Sequence, residues 1–447
     1  MGNIFTVNKF LIFGNNFLVY KCFLKKTYYY DRIMSSIDII GLCLGRIIIY
    51  VKVGAFMKIL MFSWEYPPRI IGGISRVVYD LAQNLGNNGN EVHVITCWEP
   101  GTKDYELDKF VHVHRIHVYN NISNNFVEWV MQLNFALLEY SIELLKKSSF
   151  DIIHAHDWLV AYVAKILKQS FNLPLITTIH ATESGRNNGI HTDMQNSISN
   201  IEKWLVTESD KVIVNSNYMK KEIQAIFSLT EDKICIINNG VDLNKFNNVE
   251  FDGDFRKNYA SANEKIVFFV GRLVNEKGVH VLIDAIPKIV KNYSNVKFVI
   301  AGKGPCLKSL VEQSYTLGVN NRVYFTGFVS EEVLLKLYKC SDIAVFPSTY
   351  EPFGIVALEG MVAGIPVVVS DCGGLGEIIN HKVDGMTFFS GNANSLADCI
   401  IELLKNETLA NKIKCTALEE VHTHYNWKDI TLKITSQYQE VISRYKR

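Results

Sequence analysis

From Met57 onward, short runs of β-branched and aliphatic residues alternate with amphipathic stretches, the pattern of βα units feeding a parallel sheet. Strands are predicted over 58–63, 91–96, 111–118, 151–154, 175–179, 211–214 and 234–237. A polar segment, Asn239 to Asn263, interrupts this rhythm, which restarts at 266–270, 297–301, 322–326, 343–346, 366–369 and 386–389. The result is two doubly wound α/β halves of about 180 residues each, an ordinary size for a domain. Ligands of such sheets bind beyond the carboxyl ends of the strands, so two facing halves imply a cleft between them. The expected division is 57–238 for the first domain, 239–425 for the second and 426–447 for a terminal helix. That helix has Ile430, Leu432, Ile434, Tyr438 and Val441 as its apolar positions and is expected to pack back across the first domain.

Residues 1–56 break the pattern, being rich in Phe, Tyr, Ile, Asn and Lys without a sustained period. The apolar stretch 37–53 contains Asp38, Arg46 and Lys52, which interrupts a membrane span of about 18 to 20 residues. Nor is it placed like a cleavable signal peptide. Met57 is expected to be the true start, with 1–56 as translated upstream sequence; a membrane-surface anchor is the second reading, and membrane association is left open.

Composition narrows the function. A chain of 447 residues exceeds one ordinary core, and 48% apolar residues indicate a globular protein. With 46 basic and 45 acidic residues there is no electrostatic footprint for nucleic acid, so small-molecule chemistry is the better expectation. Nine scattered cysteines form no Cys-x-x-Cys pair, which argues against a disulfide framework or a four-cysteine zinc site and fits the cytoplasm.

The stretch Ser348-Thr-Tyr-Glu351-Pro-Phe-Gly354-Ile-Val-Ala-Leu-Glu359 carries the most chemistry. Pro352 disfavours helix at Glu351, and helix-compatible spacing follows Gly354, so a helix should begin near Phe353 or Gly354. Its first amides form an anion site with Glu351 just outside and Glu359 one to two turns inside. Were the whole stretch helical, the two acids would lie about 80° apart around the axis, so they are expected to serve different positions. A plain Pro-Phe-Gly turn before a helix is the competing reading.

Other loops point the same way. Strand 58–63 ends in Trp64-Glu-Tyr-Pro-Pro-Arg-Ile-Ile-Gly72-Gly73, with a helical pattern from Ile74. This is not the G-x-G-x-x-G turn of a nicotinamide-dependent oxidoreductase, yet the Gly pair suits close approach to a phosphate. After strand 266–270 comes Gly271-Arg272-Leu-Val-Asn-Glu-Lys277-Gly278, two cations able to grip a diphosphate, unless the loop is simply solvated. Ala301-Gly302-Lys-Gly304 and Ser370-Asp-Cys372-Gly373-Gly374 end further strands. Histidines fall at strand ends in His154-Ala-His156-Asp157-Trp158 and at His180, but no third ligand with metal spacing accompanies them, and no metal is assigned. The row His112, His114, His117 reads as the solvent face of a strand, and Asp252-Gly-Asp254 as a solvated loop.

Together, Glu351-Pro-Phe-Gly-x3-Leu-Glu359, Gly271-Arg-Leu-x3-Lys277-Gly and Asn239-Gly-Val-Asp242 resemble the retaining glycosyltransferases of family four. Trp64-Glu-Tyr-Pro-Pro with Gly72-Gly73, and His154-Ala-His-Asp-Trp158, are closer to the bacterial and archaeal glycogen or starch synthase branch. The resemblance spans about residues 57–445 and implies the GT-B fold, two Rossmann-like domains facing across a cleft. It implies a hexose, glucose favoured, moved from a nucleotide-diphosphate sugar, ADP- or UDP-glucose, to a carbohydrate or other hydroxyl acceptor such as an α-glucan, with no cofactor. It further implies that Arg272 and Lys277 neutralise the diphosphate, Glu351 contacts the transferred sugar, and Glu359 holds the ribose. His180 would line the sugar site; Gly72, Gly73, Gly271, Gly302, Phe353, Gly354, Ile355, Cys372, Gly373 and Gly374 would complete the donor pocket. Where the bacterial synthases generally have Lys-x-Gly-Gly, this chain has Ile70-Ile71-Gly72-Gly73. The alternatives are a mannosyl or other hexosyltransferase of glycolipid or cell-surface polysaccharide synthesis, and a non-catalytic nucleotide-sugar-binding protein. A pyridoxal-dependent phosphorylase is disfavoured by the short chain.

Overall fold

Side chains are described for residues 56–119 and 125–445 in a computed structural model of the chain. Within the first 55 residues it describes only the backbone of four strands, Val7–Lys9 paired antiparallel with Tyr20–Cys22 and Ile39–Leu44 with Ile47–Lys52. Met1–Met57 is a unit by itself. The readings of 1–56 as upstream sequence or as a surface anchor lie outside the described residues.

In the unit Lys58–Arg447, every strand expected from the hydrophobic pattern is present within two residues at either end. The first sheet contains β1 Lys58–Phe62, β2 Glu91–Cys97, β3 Tyr105–Asp108, β4 Val111–Ile116, β5 Ile152–His156, β6 Leu175–Ile179, β7 Lys211–Val214 and β8 Ile234–Ile236. Its order is β8-β7-β6-β5-β1-β2-β4-β3, parallel throughout except for β3 against β4. The edge strand β3, Tyr-Glu-Leu-Asp, escapes sequence reading because it has no β-branched run and half of it faces solvent. Ile59 to Phe62 are all fully buried, as expected where helices cover both faces of a parallel sheet.

The second sheet contains β9 Lys265–Val270, β10 Val296–Ala301, β11 Val323–Gly327, β12 Ile343–Phe346, β13 Val367–Ser370 and β14 Met386–Phe388. All are parallel, in the order β11-β10-β9-β12-β13-β14. Successive residues of β9 feed opposite faces: Ile266 and Phe268 join one core with Leu358 and Met361, while Val267 and Phe269 join another with Leu282 and Ile286. In both sheets the direction of winding reverses at the first strand, beside β1 and beside β9, and a ligand crevice belongs at such reversals.

The terminal helix, Trp427–Tyr445, packs against the first domain. Ile430, Ile434, Tyr438 and Val441 are buried, whereas Leu432 is 55% exposed. Leu432 was expected on the apolar face; two residues from Ile430 it lies on the opposite side of the helix. Trp427 Nε1 donates to Asp80 Oδ2 at 3.2 Å, and Tyr438 Oη lies 2.6 Å from His154 Nδ1. A Cβ at Gly240 would stand 2.7 Å from the Trp427 ring, so the crossing requires glycine there. Among the described residues, no helix is long and apolar enough to cross a membrane.

Two further expectations need correction. His114 is buried, its Nε2 3.0 Å from His93 Nδ1, and His112 is half-buried, so only His117, past the end of β4, is a solvent-facing member of that row. The strand's alternation is broken because Val113, His114 and Arg115 are all buried. Asp252-Gly-Asp254 is no loop: the Asp252 side chain accepts from Phe255 N at 2.9 Å and caps the short helix Gly253–Arg256.

Candidate active site at the domain cleft

The carboxylate turn follows β12, and the helix Ile355–Val362 begins one residue beyond the expected position. Gly354 caps it at φ 109°, a left-handed conformation that glycine alone adopts freely, and a Cβ there would sit 2.4 Å from Leu375 Cδ2. The turn is clasped on both sides. Thr349 N donates to Glu276 O at 2.8 Å, and a Cβ at Gly278 would meet Pro347 O at 1.8 Å. From β13, Ser370 Oγ donates to Ser348 O at 2.5 Å, and Gly374 N to Glu351 O at 2.8 Å. Cβ atoms at Gly373 and Gly374 would strike Glu351 O at 2.3 Å and Pro352 O at 2.5 Å. These two glycines therefore let the loop press against the carboxylate turn.

Strand adjacency places Lys277, after β9, beside Glu351, after β12: Lys277 Nζ lies 2.6 Å from Glu351 Oε2. Ser348 Oγ donates to the same oxygen at 3.1 Å. Arg272 is not drawn into this pair; it is half exposed, its guanidinium 3.6 Å from Glu276. Gly302 and Gly304 serve packing, since Cβ atoms there would stand 1.9 Å from Gly271 O and 2.3 Å from Leu273 O. Cys372 donates from Sγ to Thr349 O at 3.0 Å, and burial pushes its thiol up to about 11.

Glu359 lies eight residues on, inside the helix, and reaches a different environment. Its Oε1 is 2.9 Å from Arg76 and 2.6 Å from Lys245, and Oε2 accepts from Tyr338 Oη at 3.2 Å. Burial alone would raise this carboxyl, but Lys245 and Arg76 hold it below its ordinary value. A cavity of about 580 Å³ opens here, with Arg76, Asp80, Asp242, Lys245, Ile355 and Glu359 in its wall. Neither Glu351 nor Lys277 lines it, so the two acids stand in separate surroundings.

The first domain approaches from the ends of β1, β5 and β6. Gly73 opens the helix Gly73–Asn87, and a Cβ on it would lie 3.8 Å from Ile355 Cδ1 across the cleft. The preceding loop is fixed by buried Glu65, whose Oε2 accepts from Ile71 N at 2.6 Å and Gly72 N at 2.9 Å. Burial raises the Glu65 carboxyl, and those two amides pull it back. Gly72 thus spends its N–H within the loop.

His180 is buried, with Nε2 3.0 Å from His156 Nδ1 and its backbone N donating to Asp157 Oδ1 at 2.7 Å. Burial lowers its pKa, partly offset by Asp157. The other oxygen of Asp157, and His156 Nε2, are buried without a protein partner, and Asp157 itself holds φ 59°. Buried polar atoms without a protein partner are uncommon. His154 is unavailable to a ligand, being bonded to Tyr438 and Thr178. Among the described residues, Glu91, His93 and His112 alone bring three potential metal-ligand atoms together. They sit toward the amino ends of β2 and β4, away from the cleft, and Lys58 Nζ already pairs with Glu91 at 2.5 Å.

Direct contacts join the domains around the turn. Ser216 Oγ donates to Pro352 O at 2.7 Å, and Glu377 caps the Asn217–Phe227 helix by accepting from Asn217 N at 2.8 Å and Tyr218 N at 2.6 Å. Sequence reading missed Glu65, Asp157, Arg76, Lys245 and Tyr350. Asp157 carried a usable signal, lying within a His-Ala-His-Asp-Trp run at a strand end; Glu65 acts within its own loop, on amides six and seven residues ahead, and Arg76, Lys245 and Tyr350 act through contacts remote in sequence.

Two doubly wound domains that bring a lysine–carboxylate pair and two helix starts together at their cleft define the GT-B class of glycosyltransferases. The model of the Glycosyltransferase Family 4 domain matches residues 71–245, and that of Glycosyl transferases group 1 matches 251–419. An uncharacterised glycosyltransferase of Methanocaldococcus jannaschii is 39% identical over 86% of this chain and 98% of its own length. A glycogen synthase of Mycobacterium tuberculosis is 32% identical over 86% and 94% respectively. The solved structure of sucrose-phosphate synthase from Thermosynechococcus elongatus shares the fold, with TM-score 0.75 and 24% identity, covering 87% of this chain and all of that one. The chain belongs to glycosyltransferase family four, in its glycogen synthase-like branch.

Proposed function

We propose that this enzyme transfers a hexose, glucose favoured, from ADP- or UDP-glucose to a carbohydrate hydroxyl, such as the end of an α-glucan, with retention at the anomeric carbon. The observation that carries this is the Lys277–Glu351 pair beside the Gly354 helix start, facing Gly73 across the cleft. The bond between the sugar and the diphosphate breaks while the acceptor oxygen bonds to the same carbon. The acceptor's proton passes to the departing phosphate, so no protein nucleophile is required.

The protein's part is charge stabilisation and placement. Lys277 and half-exposed Arg272 supply positive charge to the diphosphate, and the first amides of the Ile355–Val362 helix, which have no intrahelical acceptor, add to it. Glu351 holds Lys277 through Oε2 and contacts the sugar hydroxyls, while Glu359 takes the ribose. His180, kept neutral by burial, and Asp157 with its unpaired oxygen line the acceptor side. Ile70, 41% exposed in the position of the synthases' lysine, favours as second reading a hexosyltransferase that makes a single addition rather than a polymer.

A thermal-shift screen against UDP-, ADP- and GDP-sugars, followed by product analysis with the best donor, tests the assignment. Stabilisation by a glucose donor and an α-linked product are expected; a β-linked product would overturn retention. Tight donor binding with neither transfer nor donor hydrolysis would instead make the chain a non-catalytic nucleotide-sugar-binding protein.

A further inference from the structure

We infer that Tyr350 is a positioning residue that ties the acceptor-side loop after β6 to the sugar-binding Glu351; this rests on the proposed transferase reading. Tyr350 belongs to the second domain and immediately precedes Glu351, yet its ring is buried against the first domain. Its hydroxyl donates to Glu222 Oε1 at 2.9 Å and accepts from Thr182 N at 3.3 Å. Thr182 Oγ1 donates to the same Glu222 oxygen at 2.6 Å and also caps Gly185 N at 2.9 Å, which starts the short helix Glu183–Arg186. The ring lies so close that a Cβ at Gly185 would stand 2.4 Å from Tyr350 Oη. Glycine at 185 is therefore a condition of this docking, although its φ is not in the left-handed range. At its other end, the Tyr350 backbone N and its neighbour Thr349 N both face Glu276 O, next to Lys277.

One side chain thus spans from the loop leading away from His180 to the turn carrying Glu351. If the loop shifts when an acceptor settles beside His180, the shift passes through Glu222 and Thr182 to the Tyr350 ring, and from there one residue along the chain to Glu351. A purely structural residue here would stabilise the closed domains without distinguishing donor from acceptor. Tyr350 is seated both on the acceptor loop, through Thr182 and Gly185, and on the Asn217–Phe227 helix, through Glu222 and the Tyr218 ring, and its loop contacts are what give it an acceptor-specific role.

The test is steady-state kinetics of the full chain with Tyr350→Phe, Glu222→Gln and Gly185→Ala, using the best donor and an oligosaccharide acceptor. Tyr350→Phe should raise KM for the acceptor about fivefold, the effect of one hydrogen bond, and Glu222→Gln, which keeps an acceptor oxygen but removes its charge, should raise it less; both should leave KM for the donor within about twofold. Donor loss to water, relative to transfer, should rise in both. Gly185→Ala should show the same signature more strongly, because it drives the ring out of its seat. Equal rises in both KM values together with a lower melting temperature would reduce Tyr350 to a structural contact and overturn the inference, as would unchanged kinetics in all three. A wild-type chain that transfers no sugar defeats the underlying reading; one that transfers normally while the variants match it defeats this inference alone.

Discussion

At the scale of single residues, the two acids of the Glu351-x7-Glu359 turn are separated by what surrounds them. Glu351 meets one lysine and one hydroxyl on a single oxygen, whereas Glu359 is only 2% exposed and meets two cations and a tyrosine. Glu359→Gln keeps the shape and removes the charge. If Glu359 serves the ribose, KM for the donor should rise about tenfold with a smaller change in kcat, because the interaction is made in the ground state as well as the transition state. An unchanged donor KM would remove Glu359 from the site. The sequence showed that two acids sit around a helix start; it could not show their partners. Lys277 lies 74 residues from Glu351, and Arg76 lies 283 residues from Glu359. Those contacts depend on strand order and on domain closure, neither of which is written in local spacing.

At the scale of elements, parallel strands buried on both faces read as plain aliphatic runs, which is why their positions were legible. What failed was the exception to each pattern: the polar edge strand Tyr105–Asp108, the buried His114, and Leu432 on the wrong side of its helix. The terminal helix is held by Tyr438, whose hydroxyl meets fully buried His154. Tyr438→Phe leaves His154 Nδ1 without a partner and should cost about 1–3 kcal/mol of stability in denaturant unfolding. His154 also predicts the acid response of this contact. Burial, with a smaller contribution from His180, lowers its pKa from 6.5 to about 3. Between those values the unfolded chain binds a proton that the folded one refuses, so stability is complete above about pH 6.5 and falls as pH drops towards 3. Asp80 and Glu202, whose carboxyls burial raises to about 7 and about 8, act in the opposite sense, so the test is a comparison: a His154→Gln variant should lose stability less steeply than the wild type from pH 7 to pH 4, and identical slopes would contradict this.

For the whole molecule, the cleft was legible because two doubly wound sheets each place their reversal at the first strand, and the loops after β1 and β9 carry the glycines and cations there. The closeness of the domains was not legible. It rests on polar contacts such as Ser216 to Pro352 and Glu377 to the start of the Asn217–Phe227 helix, which unite residues far apart in the chain. The proposed chemistry draws its positive charge from Lys277, Arg272 and helix amides, so transfer should continue unchanged in excess chelator. Loss of activity that returns with added divalent cation would contradict that account.

The central claim is that Lys277 and Glu351 form the reacting centre of a sugar-transfer site. Turnover of the Lys277→Ala and Glu351→Ala variants, measured with the most stabilising nucleotide sugar and accompanied by circular dichroism, tests it most directly. Both variants should keep the wild-type spectrum and lose at least about 10²-fold in kcat, the scale for removing a group that stabilises transition-state charge. Near-normal turnover in either folded variant would contradict the assignment.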